Sequence, residues 1–123
     1  MEFIDTNILV YSFYENEYME KCQETIKNGG ITNILALTEA FNALEKITNK
    51  EKAEKVIKSL LKSNLQIVDL DISILFEALK KIGKYNLSMF DMIHYTSALL
   101  NNCESIISYD KDFDNLEIKR IEP

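Results

Sequence analysis

Apolar positions along the chain follow two rhythms. Short runs at EFI (2–4), GIT (30–32), LQIV (65–68), SIISY (105–109) and EIKRI (117–121) predict strands. Between them, apolar residues recur every three or four positions, which predicts helices. The first starts at Thr6 or Asn7 and carries Ile8, Leu9, Tyr11 and Phe13. A second covers 17–28 and stops at Asn28-Gly29-Gly30. A third, 33–47, repeats Leu37, Phe41, Leu44 and Ile47, and a fourth, 50–63, buries Ala53, Val56, Ile57, Leu60 and Leu61. A fifth covers 72–85. A sixth covers 89–102, where Ser88 and Asp91 form a capping-box-like start. Strands alternating with helices predict βαβ units. The expected fold is α/β: a three-layer α/β/α domain over 1–123, its central, mostly parallel sheet of four to five short strands flanked by helices.

Composition narrows the function. With 14 Lys+Arg against 20 Asp+Glu, the net charge of −6 argues against nucleic-acid binding by bulk charge. The charge is uneven: residues 46–65 carry six lysines and two acids, whereas both flanking segments are acidic. No run reaches the ~18 apolar residues of a membrane span. The MEFIDTN opening lacks a basic secretory n-region. Cys22 and Cys103, 81 positions apart, fit no zinc or disulfide pattern and read as buried thiols in a reducing cytosol. A single histidine, His94, excludes a His-rich metal site.

The acids are what remains. Asp5 directly follows the first strand and Asp110 directly follows SIISY, so parallel strands deliver both carboxylates to one edge of the sheet. Open α/β folds place their sites at that edge. Asp91 lies in the first turn of the sixth helix, and Glu39 sits among apolar residues of the third. Each has a plain alternative role, such as helix cap, dipole partner or surface acid. Converging carboxylates persist together only when protons or cations neutralise them. Oxygen ligands without thiolate or imidazole suit Mg²⁺ or Mn²⁺, ions suited to phosphodiester hydrolysis. The Asp110-Lys-Asp112-Phe-Asp114 run opens like a calcium-binding loop. Asn115 and Ile121 then stand where such a loop needs Gly and Glu.

Four blocks, FIDTNILVY (3–11), ILALTEAFNAL (34–44), LSMFDMIHYTSALLNN (87–102) and IISYDKDFDNL (106–116), together resemble the PIN domain, the nuclease fold of VapC-type toxins. The resemblance implies an Mg²⁺- or Mn²⁺-dependent endoribonuclease whose products carry a 3′-hydroxyl and a 5′-phosphate. Its acidic quartet falls on Asp5, Glu39, Asp91 and Asp110 as catalytic metal ligands, with Asp114 and Asp112 as secondary candidates. Asn7 and Ser108 match the family's supporting polar residues, and His94 is expected to pack or hydrogen-bond beside the site. One departure is the single arginine, Arg120; the Lys55, Lys58, Lys62 stripe is either a phosphate contact or a solvated helix face.

The resemblance further implies an RNA substrate, a homodimer, a small antitoxin protein and a cytoplasmic location. Tyr11, Phe13, Tyr14 and Tyr18 crowd the first two helices and divide between core and a partner surface. Two alternatives stay open: a PIN nuclease of RNA maturation without an antitoxin, and a non-catalytic PIN-like binding module. A phospho-acceptor receiver domain is disfavoured, because 46–65 contains no Asp and no late strand ends in a suitably placed Lys.

Overall fold

The computed structural model describes residues 1–123. Five short strands, β1 (Glu2–Ile4), β2 (Gly30–Asn33), β3 (Leu65–Val68), β4 (Ser105–Ile107) and β5 (Lys119–Ile121), form one sheet in the order β3-β2-β1-β4-β5. Every neighbouring pair is parallel. Six helices connect them: α1 (Thr6–Tyr11), α2 (Met19–Asn28), α3 (Ile34–Ile47), α4 (Lys50–Leu61), α5 (Ile72–Lys81) and α6 (Met89–Leu100). The fold is the expected three-layer α/β/α arrangement.

Strand alternation sorts the core into two layers. Ile4 and Ile107 face a cluster built with α1 to α4, including Ile8, Leu9, Leu37 and Leu44. Phe3 and Ile106, one position earlier, face the opposite cluster with Met92, Tyr95 and Phe113. A one-residue slip of β1 would exchange these faces, so burial on both sides fixes its register.

The chain moves outward from β1 through β2 to β3. It then crosses back through α5 and α6 to place β4 on the other side of β1. The connectivity therefore reverses between β1 and β4, and a crevice opens beyond the carboxyl ends of these strands.

Several boundaries fall inside their expected ranges: α2 begins at Met19, α4 ends at Leu61, α5 at Lys81, α6 at Leu100, and β5 begins at Lys119. The physical reasons are local. Phe13 lies past the end of α1, where Ser12 caps the helix. Strand β4 ends at Ile107, and the next residue, Ser108, turns its hydroxyl to Asp5. A 3-10 turn over Lys111–Phe113, capped by the Asp110 carboxylate, was not expected. The Ser88 hydroxyl accepts from Asp91 N at 3.1 Å, the cap anticipated for α6. Cys22 and Cys103 are free and buried. No helix is long and apolar enough to cross a membrane.

Candidate active site

The two central strands each release an acid. Asp5 leaves β1 and becomes the N-cap of α1, its Oδ1 accepting from Thr6 N at 2.8 Å. It is 5% exposed. Its Oδ2 accepts from Ser108 Oγ at 2.6 Å and from Asn7 Nδ2 at 3.3 Å. Ser108 Oγ in turn accepts from Asp110 N at 2.9 Å and from Asn7 Nδ2 at 3.2 Å. One hydroxyl thus ties the ends of β1 and β4 together. Capping and site-building are therefore not alternatives for Asp5, which does the first while facing the crevice.

Asp91 comes from the first turn of α6 and Glu39 from the middle of α3. Asp5, Glu39, Asp91 and Asp110 line one cavity of about 380 Å³, together with Thr6, Asn7, Tyr11 and Tyr14. Asp91, Asp110 and Asp112 each present an oxygen within 4.8 Å of the others. A larger groove of about 520 Å³ lies elsewhere, lined by Leu37, Phe41, Ile57 and Leu61, with Asp69 its sole acid.

Glu39 differs from the other three. Its Oε1 accepts from Thr6 Oγ1 at 2.9 Å and pairs with His94 Nε2 at 2.6 Å. Burial alone would raise its pKa, but His94 and Thr6 outweigh burial and hold it below the usual range. No lysine or arginine pairs with Asp5, Asp91 or Asp110. Burial raises the Asp5 carboxyl, with Asp110 adding a smaller push in the same direction. Asp91 is raised to about 6, first by burial and then by the charges of Asp5 and Asp110. A site that strains toward protonation in this way holds negative charge awaiting a counterion.

The sign of the resulting pH dependence follows. Asp91 binds its proton more tightly when folded, so its contribution favours the fold below about pH 4 and is lost as pH rises through about 6. Asp91→Asn removes this dependence. In chelator, the variant is expected to gain on the parent as pH rises from about 4 to about 7. The gain is of order 1 kcal/mol once the side chain's partial exposure to solvent is allowed for. Urea denaturation at both pH values measures it, and a stability difference independent of pH would refute it.

The other expected residues lie as follows. Asp114 pairs with Arg120 Nε at 2.6 Å. Arg120 Nη1 also donates to Glu122 at 2.8 Å and to the Ser108 carbonyl at 2.9 Å. The lone arginine therefore braces the loop that carries Ser108 and Asp110. Lys55 and Lys58 pair with Glu51 and Glu54 on their own helix, and Lys62 is the C-cap of α4. None of the three lines the acidic cavity. Tyr11, Tyr18 and Tyr109 pack ring against ring, and Tyr14 meets Tyr11 edge-on. Sequence reasoning did not single out Thr6 or Asn33. The position of Asn33 just before an apolar helix was the available signal for the latter.

A carboxylate cluster at the switch point of a parallel sheet, without a basic partner, defines an acidic-crevice α/β protein. The donor set is all hard oxygen and fits Mg²⁺ or Mn²⁺. The family model of the PIN domain matches residues 3–119, and the chain belongs to that family of nucleases. No curated protein matches it in sequence. Among solved structures it is similar to VapC20 of Mycobacterium tuberculosis, a toxin that cleaves the sarcin-ricin loop, with a TM-score of 0.86 at 12% identity over the whole of both chains. A toxin–antitoxin complex from Klebsiella pneumoniae gives a TM-score of 0.77 at 17% identity, covering 100% of this chain and 98% of that one. VapBC2 from Rickettsia felis, bound to a DNA fragment of its promoter, gives 0.72 at 18% identity, covering 98% and 97%. At these identities the likeness concerns the fold.

Proposed function

We propose that the protein is a divalent-metal-dependent endoribonuclease, the toxin of a toxin–antitoxin pair, with residues 1–123 acting as one domain. The observation that carries the reading is the convergence of Asp5, Asp91 and Asp110 without a basic partner, two of them with raised carboxyls. Asp5, Glu39, Asp91 and Asp110 would hold Mg²⁺ or Mn²⁺, with Asp112 close enough to assist. When bound, the metal supplies a water of lowered pKa and positive charge against the phosphodiester oxygens. The chain's own part is orientation. Ser108 and Asn7 hold Asp5, Asp110 is anchored through its amide to Ser108, and Thr6 and His94 hold Glu39. The toxin role draws support from the toxins among the similar structures. A cytoplasmic location, where free thiols stay reduced, goes with this reading.

Mn²⁺ tests the reading directly. Millimolar Mn²⁺ is expected to raise the melting temperature by mass action, and calorimetry is expected to detect binding. RNA incubated with the metal-loaded protein should yield 5′-phosphate and 3′-hydroxyl ends. Absence of Mn²⁺ binding would remove the catalytic reading. Metal binding with no cleavage would leave a binding module.

We further propose a homodimer formed through helices. Ile72, Leu75, Phe76 and Leu79 are exposed along α5 at helical spacing, an apolar face suited to a second copy. Light scattering should give twice the monomer mass, and Phe76→Glu should shift it to monomer. A monomer at every concentration would refute the dimer and leave the site, built from one chain, untouched.

A further inference from the structure

The hydrogen-bond chain behind Glu39 contains a direction that can be fixed without seeing a hydrogen. It starts at the backbone. Asn33, the last residue of β2, is the N-cap of α3 and is fully buried. The amide of Ala36 must donate, so the Asn33 atom facing it at 2.8 Å is the carbonyl oxygen Oδ1. The alternative orientation would set two N–H donors against each other in a buried site. With Oδ1 committed, Nδ2 is committed too. It lies 3.1 Å from Ser97 Oγ and 3.1 Å from His94 Nδ1. An amide nitrogen only donates, so His94 Nδ1 accepts and carries no hydrogen. The ring's hydrogen is then on Nε2, which donates to Glu39 Oε1 at 2.6 Å. His94 is 1% exposed, so solvent does not compete for these contacts. Oε1 already takes a second donor, Thr6 Oγ1, at 2.9 Å. Oε2 is the oxygen of Glu39 left for the crevice.

The geometry points to Asn33 as a positioning residue of the acidic site: by capping α3 through Oδ1 it fixes His94 as an Nε2–H donor, and through it the oxygen that Glu39 offers to a cation. The role toward a cation rests on the metal-dependent reading above. The hydrogen-bond chain does not.

The single histidine makes the test clean. Nitrogen-15 NMR of the metal-free protein reports both ring nitrogens of His94 alone. The expected result is one tautomer, with Nε2 protonated and Nδ1 bare. A hydrogen on Nδ1 would overturn the inference outright, whatever any variant does. Asn33→Asp then separates positioning from capping. Asp caps helices about as well as Asn, so a residue that only caps predicts unchanged ring signals. A carboxylate accepts where the amide donated, so positioning predicts that Nδ1 gains a hydrogen. It also predicts that Mn²⁺ affinity falls by roughly tenfold as the imidazole opposite Glu39 changes state. A shifted hydrogen with unchanged Mn²⁺ affinity would overturn the positioning role. If the variant does not fold, the signals of the unsubstituted protein decide the direction of the chain. If the unsubstituted protein binds no Mn²⁺, the cation reading fails, while the nitrogen signals still decide the hydrogen-bond chain.

Discussion

Asp5→Asn is expected to lower RNA cleavage by roughly two to three orders of magnitude while leaving the metal-free fold intact. The loss corresponds to about 3–4 kcal/mol of transition-state charge stabilisation. The fold survives because the amide keeps the capping contact. Its oxygen still accepts from Thr6 N, the capping contact of α1. Its nitrogen stands where Oδ2 accepted from Ser108 Oγ and Asn7 Nδ2, so those two contacts are lost. Burial of the Asp5 charge is the first cause of its raised carboxyl, so the neutral side chain also sheds a desolvation cost. The relieved desolvation offsets the two lost contacts, so stability in chelator should stay close to that of the parent, and the melting-temperature gain from Mn²⁺ should shrink. Full cleavage by the purified variant, free of contaminating nuclease, would overturn the mechanism.

Gly30→Ala should have the largest effect on stability. Gly30 sits at φ +153°, a conformation that L side chains rarely adopt. A Cβ there would lie 2.9 Å from the Glu2 carbonyl and 2.8 Å from Ile4 Cδ1, both on β1. The isoleucine tip can turn aside, but the carbonyl is backbone, so the strand that carries Asp5 must move. Overpacking and the backbone penalty together cost about 3 kcal/mol, a large part of the ~5–15 kcal/mol available to a typical domain. Chemical denaturation should show an earlier midpoint at unchanged slope. Gly83→Ala is the control. Nothing lies within 4 Å of its added methyl, so that variant should be neutral or slightly more stable. Equal losses in the two variants would refute the packing argument.

The elements were legible because short apolar runs give way to a 3.6-residue apolar period at the junctions. Phe3 and Ile4, like Ile106 and Ile107, are adjacent apolar residues of runs that read as strands, and they serve opposite core layers. Element ends were less legible. Residues 82–85 continue the polar–apolar pattern of α5, yet the helix stops at Lys81, just before the Ile82-Gly83 pair. Asp5 and Asp110 could be paired because each follows a strand, and a parallel sheet aligns strand ends. The link from Asn33 through His94 to Glu39 joins residues 61 and 55 positions apart. It depends on α3 and α6 meeting beside β2, which no local pattern encodes. The work of Arg120 was hidden for the same reason, since its partners are a loop carbonyl and two acids of no distinctive spacing.

The placement of β1 between β2 and β4 bears on when during synthesis the acidic crevice can form. A ribosome delivers Asp5 and Glu39 early, with β1, β2 and α3. The strand that completes the other side of β1 arrives about a hundred residues later, bringing the Ser108 hydroxyl and the Ile107 carbonyl that fix Asp5 in place. Until then β1 has an open edge and Asp110 is absent. Non-local parallel pairing of this kind forms late and slowly. A chain that stops anywhere before β4 therefore lacks the Asp110 side of the acidic crevice. The order of the strands itself delays the crevice until β4 has been made.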